Sequence, residues 1–306
     1  MQGTWFVERV LQRYRAPESD VLLLLPCAAR KPYSTSRSHR LFASALGEAR
    51  RRLHELILTS PLALVPRELE EVYPAASYDV PVTGRWDLLE RKWLTRCLER
   101  YLERNRYRRI VAHIEGELEE AVVDSGIDAV FTGGGTDGEA LGRLSEAVAE
   151  ATCDARPLEG FFIQKFRALA DYSFGLGAGR DLLAGGVRVR GRELSSADRK
   201  PLASFTPHGT IALSPEGARR LLSRGGYVVE IGDFVPRGDV LAPGVARADD
   251  QIRPGDEVIV TVGAAIRVRE GDDKRLGDGR APPGWSPLNS PCLRAGELPV
   301  RKCRDL

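Results

Sequence analysis

The residues best equipped for chemistry crowd into one stretch, LLLLPCAARKPYSTSRSHRLF, at positions 22–42. Four leucines run into Pro26 and Cys27, and Arg30, Lys31, Tyr33, Ser34, Ser36, Ser38 and His39 follow closely. A loop at a strand end can expose Cys27 to substrate while the strand holds its backbone still. Thiolate is the nucleophilic form of cysteine, and Arg30, Lys31 or a protonated His39 nearby would lower the pKa. Lys31 could instead bind a phosphate or carboxylate, Tyr33 could stack on a ring, and the three serines could donate hydrogen bonds. A structural alternative stands beside this one, with Cys27 a small buried side chain and the serines capping the next helix.

Other polar clusters are less specific. FTGGGTDGEALGRL, residues 131–144, follows a strand and opens a helix, so its backbone N–H groups could bind an anion. It lacks the Lys-Ser/Thr of a Walker loop, and Thr136 or Asp137 as a helix N-cap is the first reading. His113 and Glu115 fall near a strand end, where a lone histidine is usually structural. Arg96, Arg100 and Arg104 alternate with Glu99 and Glu103 as on a solvated, salt-bridged helix face.

The elements that must hold these residues follow from apolar patterning. VLLLL at 21–25 is an unbroken apolar run, as in a parallel strand covered on both faces. Leu41, Ala45, Leu46, Ala49 and Leu53 predict a helix after it. LILTSPLALVP predicts a second strand that breaks or bends at Pro61. RRIVAHI from Arg108 and DAVFTGG from Asp128 predict two more, with helices over 87–105 and 115–124 between them. This alternation predicts an α/β parallel-sheet core over residues 1–150, with right-handed crossovers and ligands beyond the carboxyl ends of the strands. Residues 151–225 read as a small α+β module in which GVRVRGREL is a half-exposed strand. Residues 226–306 string short strands between PRGD, APG and RPGD turns, as a β-rich barrel or sandwich would.

Composition sets the outer limits. A chain of 306 residues, 42% hydrophobic, has room for two or three domains with a sizeable core. No apolar run is long enough to span a membrane, and the charged N-terminal stretch lacks a signal peptide's apolar middle, which predicts a cytoplasmic protein. The five cysteines, Cys27, Cys97, Cys153, Cys292 and Cys303, lie far apart, so neither a disulfide framework nor a zinc site is expected. No other metal or cofactor is expected. A formal charge of +2 gives a weak overall field, but the cations are mostly arginine, which suits phosphate contact and surface ion pairs alike.

The spacing Pro26-Cys27-x3-Lys31-Pro32-Tyr33-x2-Ser36-x2-His39 resembles the motif that separates archaeosine synthases from the related tRNA-guanine transglycosylases. TSPLALVPRELEEVYPAASYDVPVTGRW and FRALADYSFGLGAG resemble later segments of that family, and the β-rich end resembles a PUA domain, an RNA-binding module. The resemblance implies a tRNA-modifying enzyme that adds lysine, through its side-chain nitrogen, to the nitrile of 7-cyano-7-deazaguanine at position 15 of the tRNA D-loop. It also implies a radical-SAM partner that cleaves the adduct, while longer members carry a transglycosylase-like domain ahead of the motif, so a separate transglycosylase subunit is a second expected partner. The segment REGDDKRLGDGRAPPGW departs from the usual PUA pattern, standing where such domains have a shorter strand and turn.

Under that resemblance Cys27, Lys31, Ser36 and His39 become the catalytic candidates. His39 would be acid or base, and Lys31 or Ser36 would stabilise the developing negative nitrogen. Cys27 would either form a thioimidate that the amine displaces or only shape the pocket. Pro26, Tyr33, Ser60, Asp79, Thr83, Gly84 and Trp86 become substrate-binding candidates, with Asp79 facing a base edge or the lysine ammonium. A structural loop at Asp79 and core packing of Trp86 are the competing readings. Lys165, Arg167, Arg180, Arg188 and Arg190 become the candidates for tRNA phosphate. Two rivals remain: a non-catalytic tRNA-binding subunit, and an enzyme acting on another RNA base.

Overall fold

The computed structural model describes residues 2–77, 86–234, 236, 240–262 and 292–294. The chain divides into two compact units, Met1–Tyr172 and Ser173–Leu306. The first opens with helix α1 (Gln2–Arg13), which buries Phe6, Val7, Val10 and Leu11 along one stripe at helical spacing. Strand β1 (Val21–Pro26) follows, then α2 (Arg37–Leu46), β2 (His54–Thr59), β3 (Ala63–Pro66), α3 (Leu88–Arg104), β4 (Arg109–Ala112), α4 (Glu117–Asp124), β5 (Val130–Phe131), α5 (Gly138–Thr152) and α6 (Phe161–Phe174). Helix α6 runs across the division between the units.

Five strands form one sheet in the order β3-β2-β1-β4-β5. β1 pairs parallel with β2 and β4, and β4 parallel with β5, while β3 folds back antiparallel on β2. The expected break at Pro61 is thus a hairpin turn between two short strands. The helix after β1 stops earlier than its apolar spacing predicts. Gly47, at φ 50°, ends α2 in a conformation that side chains disfavour, and Leu53 lies beyond a following 3-10 segment.

Alternate residues of β1 make the core. Val21, Leu23 and Leu25 pack with Phe42 and Leu46 of α2, Val111 of β4 and Leu144 and Val148 of α5. Leu22 and Leu24 point to the opposite face and are equally buried. On the sheet's flank, α1 and α3 pack against β3 and each other. That is why β1 carries no polar alternation: both faces are covered.

In the second unit β6 (Val187–Arg190), β7 (Glu193–Ser196), β8 (Pro201–Phe205) and β9 (Ile211–Leu213) form an antiparallel sheet in chain order. α7 (Ala178–Leu182) packs against α8 (Pro215–Leu222), and α8 lies on β8. A separate mixed sheet orders β11 (Val245–Ala248), β10 (Val228–Ile231), β12 (Glu257–Val262) and β13 (Cys292–Arg294). The APG and RPGD turns fall as expected. APG is a 3-10 turn before β11, and in RPGD the Asp256 carboxylate accepts from Arg253 N at 2.9 Å. REGDDKRLGDGRAPPGW lies outside the described residues. Among the described residues no helix is long and apolar enough to cross a membrane.

Leu23→Ala, in a site with no exposed area, should destabilise the first unit by about 2–5 kcal/mol in urea titrations. Val130→Ala, 57% exposed on outer strand β5, should stay within about 0.5 kcal/mol.

Candidate functional site

Cys27 sits where β1 leaves the sheet. Its backbone N donates to Leu58 O at 3.0 Å, extending the β1–β2 ladder one step past Pro26. The thiol is half-buried, in contact with the Thr59 side chain and within reach of the Lys31 charge. Burial pushes its pKa up, and the Thr59 hydrogen bond and Lys31 oppose that without cancelling it. Cys27 is therefore held as a thiol, and a thiolate here needs a further push from whatever binds.

The loop then turns sharply. Tyr33–Thr35 is one 3-10 turn in which Thr35 N and Oγ1 both donate to Pro32 O, at 3.0 and 2.8 Å. Ser36 is the N-cap of α2, its Oγ accepting from His39 N at 3.2 Å, the capping that the serine-rich stretch offers as its structural reading. Tyr33 has no exposed area and packs its ring on His39, centroids 5.6 Å apart. It is a core residue, so the expected stacking on a substrate ring is withdrawn.

His39 is also committed to the fold. Arg67 donates to its Nδ1 at 2.8 Å, which leaves the proton on Nε2 to be donated to Pro26 O at 3.0 Å. Burial, with the Arg67 charge added, lowers its pKa to about 3. A histidine neutral at ordinary pH, with both ring nitrogens occupied, is a brace for the Pro26–Cys27 corner. The expected role as acid or base gives way to this one.

Behind His39 lies a buried charge network. Arg67 Nε donates to Glu55 Oε2 at 2.6 Å and its terminal nitrogen to Glu70 Oε2 at 2.8 Å, while Arg50 pairs with Glu55 from the other side. Burial alone would raise the Glu55 pKa, but the two guanidinium groups bring it down to about 2. Glu70 returns to the loop and accepts from Ser34 N at 2.9 Å.

The glycine-rich stretch ends in a cap. Asp137 accepts from Glu139 N and Ala140 N, both at 3.0 Å, at the start of α5. His113 is buried, bonded to Thr132 Oγ1 at 2.8 Å and to Gly135 O at 2.9 Å, and burial lowers its pKa. It ties β4 to the glycine turn.

The remaining candidates divide. Ser60, in the β2–β3 turn, gives its hydroxyl to Glu90, whose other oxygen accepts from Asp87 N in the capping box of α3. Trp86 is half-buried and its backbone N donates to Glu117. Asp79, Thr83 and Gly84 lie outside the described residues. Lys165 is buried and paired with Glu71 at 2.7 Å, so it leaves the phosphate-binding set. Arg167 pairs with Glu159 at 2.6 Å near the surface, and in the second unit Arg180, Arg188 and Arg190 are exposed. Arg100 bonds Glu8 and Arg104 bonds the Leu11 carbonyl, so these two arginines reach across to α1 and its C-terminal end. Thr59, Glu55, Arg67 and Glu70 were missed by sequence reasoning. The one signal was Glu55 itself, a charge inside a strand with no polar alternation, which has to be paired.

A half-buried thiol, a lysine and a braced loop at the carboxyl edge of a parallel sheet define an α/β domain with its site on the β1–α2 loop. Residues 4–148 match the family described as a domain of unknown function, DUF5591. A crystal structure of a protein of unknown function has the same fold, with a TM-score of 0.66 and 31% identity over 85% of this chain and 89% of that one. The archaeosine synthase subunit alpha of Methanosarcina acetivorans is 49% identical over 83% of this chain and 44% of its own length. The archaeosine synthase of Haloferax volcanii is 41% identical over 83% and 45%. Over most of its length the chain is similar to archaeosine synthases, and it spans less than half the length of these curated relatives.

Two measurements follow. Cys27 alkylation by iodoacetamide should still be climbing with pH at pH 9, and Thr59→Val, which removes a hydrogen bond favouring thiolate, should slow it at every pH. Stability should fall as pH drops. The unfolded chain protonates His39 near 6.5 and Glu55 near 4.5, whereas the folded protein resists until about 3 and about 2, so each contribution is complete above the higher value and lost towards the lower. In urea titrations between pH 6 and 5, His39→Gln should flatten the slope by about 1.2 kcal/mol per pH unit. An unchanged slope would show that His39 titrates normally.

Proposed function

We propose that this chain acts in tRNA modification for archaeosine formation, adding lysine to the nitrile of 7-cyano-7-deazaguanine at position 15 of the D-loop. The observation that carries the reading is the family motif held rigidly at the carboxyl edge of the sheet, with Cys27 and Lys31 adjacent. The lysine side-chain amine attacks the nitrile carbon. One C–N bond forms, one π bond of the C≡N opens, and the nitrile nitrogen gains a proton as the amine loses one, leaving an amidine. Lys31 supplies positive charge beside the nitrogen where negative charge develops. Ser36 acts only as the cap that holds the loop.

A thiol held protonated suits direct addition, with Cys27 shaping the pocket and its S–H directed at the nitrile, better than a resting thiolate nucleophile. Exposed Arg180, Arg188 and Arg190 suit phosphate contact, and the β-rich end is assigned the PUA-like role of RNA docking. In this reading the domains are residues 1–150, 151–225 and 226–306, a radical-SAM partner consumes the lysine adduct, and a separate transglycosylase supplies the nitrile base.

Mass analysis of nitrile-bearing tRNA incubated with the protein and lysine should show the adduct. Lys31→Ala should lose product by about 100-fold while keeping tRNA affinity. Loss of affinity in parallel with product would favour a non-catalytic binding subunit, and adducts on a different base would favour the other rival. Cys27→Ser should retain turnover; complete loss, with the mass of the base trapped on wild-type protein before lysine is added, would establish the thioimidate route instead. Arg188→Glu with Arg190→Glu should weaken tRNA binding and reduce the log–log salt slope by about 1.5–2.

A further inference from the structure

The geometry points to Arg67 as the positioning residue of the Cys27–Lys31 loop, holding it at both ends from a single buried guanidinium. This rests on the functional reading above and names a residue outside the motif. At one end Arg67 fixes the His39 tautomer, and His39 Nε2 then grips Pro26 O, the residue before Cys27. At the other end Arg67 holds Glu70, and Glu70 grips Ser34 N. Between these two grips lie Cys27, Lys31 and the turn into α2.

Side-chain chemistry explains why arginine stands here. The planar fork presents separate N–H groups to Glu55, Glu70 and His39 at once, in fixed directions. An ammonium is a point charge that keeps the two carboxylates paired but cannot reproduce three directed bonds. Arg67 meets no substrate, since it is 4% exposed. Its influence reaches the reacting atoms only through His39 and Glu70.

Arg67→Lys is the test, since it keeps the buried charge. Iodoacetamide labelling, read peptide by peptide, uses exposed Cys153 as the internal standard. In folded variant the Cys27/Cys153 ratio should rise about fivefold as the loop opens locally. With nitrile-bearing tRNA, kcat should fall about 100-fold while KM stays within about threefold, as misplacement rather than lost binding requires. A ratio within about twofold of wild type in folded protein would overturn the proposal, as would an equal loss in kcat and in folded fraction.

His39→Gln cuts one of the two links and serves if Arg67→Lys does not fold. Its labelling ratio should rise as well, and a ratio within about twofold of wild type overturns the proposal; where Arg67→Lys folds, the two effects in the double variant should fall short of additive, because they act in series. Full additivity overturns the proposal. A second readout is the His39 ring resonance, one of four histidines in the chain. His39 is faced by Arg67, by Glu55 on β2, by Arg50 and by the Tyr33 ring. Arg67→Met with Glu55→Gln, which removes one charge of each sign, should still move its midpoint upward by about one pH unit or more, because the direct Nδ1 contact is gone; no movement overturns the link. Labelling and titration need no tRNA. A wild-type protein that forms no adduct refutes the proposed reaction while these readouts still decide the role of Arg67.

Discussion

Glu55 is the constraint around which the first unit is arranged. It lies in β2, where every residue is buried, and an unpaired carboxylate there would be destabilising by several kcal/mol. The antiparallel register Leu56↔Pro66 sets Glu55 opposite Arg67, and the parallel register sets it beside Leu23 of β1. A slip of one residue between β2 and β3 would turn the guanidinium to the other face and strand both charges. The ion pair thereby specifies the hairpin, and the hairpin brings Glu70 and Arg67 under the β1–α2 loop. Net stabilisation from such a pair is small; what it confers is a single register.

Much of this was legible in the sequence. Apolar periodicity gave β1, the bend at Pro61, β4, β5 and the helices near 87–105 and 115–124, because both-faced burial and amphipathic stripes leave strong patterns. Helix α1 carries its stripe in Phe6, Val7, Val10 and Leu11, but Glu8, Arg9 and Gln12 interrupt it, so a segment this short shows no apolar run. The end of α2 was missed because apolar spacing continues through Ala49 to Leu53 while Gly47 stops the backbone.

The site was legible in position but less so in role. Reactive side chains at a strand end point to the right loop, yet periodicity cannot say which are turned inward. Tyr33, Ser36 and His39 have the vocabulary of catalysis and serve the fold; Lys165 has that of phosphate binding and is paired with Glu71 at 2.7 Å. For His39 and Lys165 the deciding fact is a partner remote in sequence. Arg67 is 28 residues from His39, and no local pattern announces that contact.

Sheet order explains why this loop, rather than another, carries the chemistry. From β1 the chain turns to β2 on one side, and β4 takes the other side. Loops leaving β1 and β4 therefore diverge, and in open α/β sheets it is where neighbouring loops part in this way that ligands bind. His113 N bonds Leu24 O, so the parallel register carried past β1 sets Cys27 level with Glu115. Across β4, a Cβ on Gly134 would come within 2.8 Å of the Glu115 side chain, so the two lie in close contact. The carboxyl edge of the sheet thus carries a thiol within reach of the Lys31 charge after β1 and, level with it after β4, a carboxylate side chain against the Gly134 backbone. Side chains of opposite sign thus stand level on neighbouring strand ends, which is the arrangement the proposed addition calls for, a cation beside the nitrogen gaining electrons and a base beside the amine losing a proton.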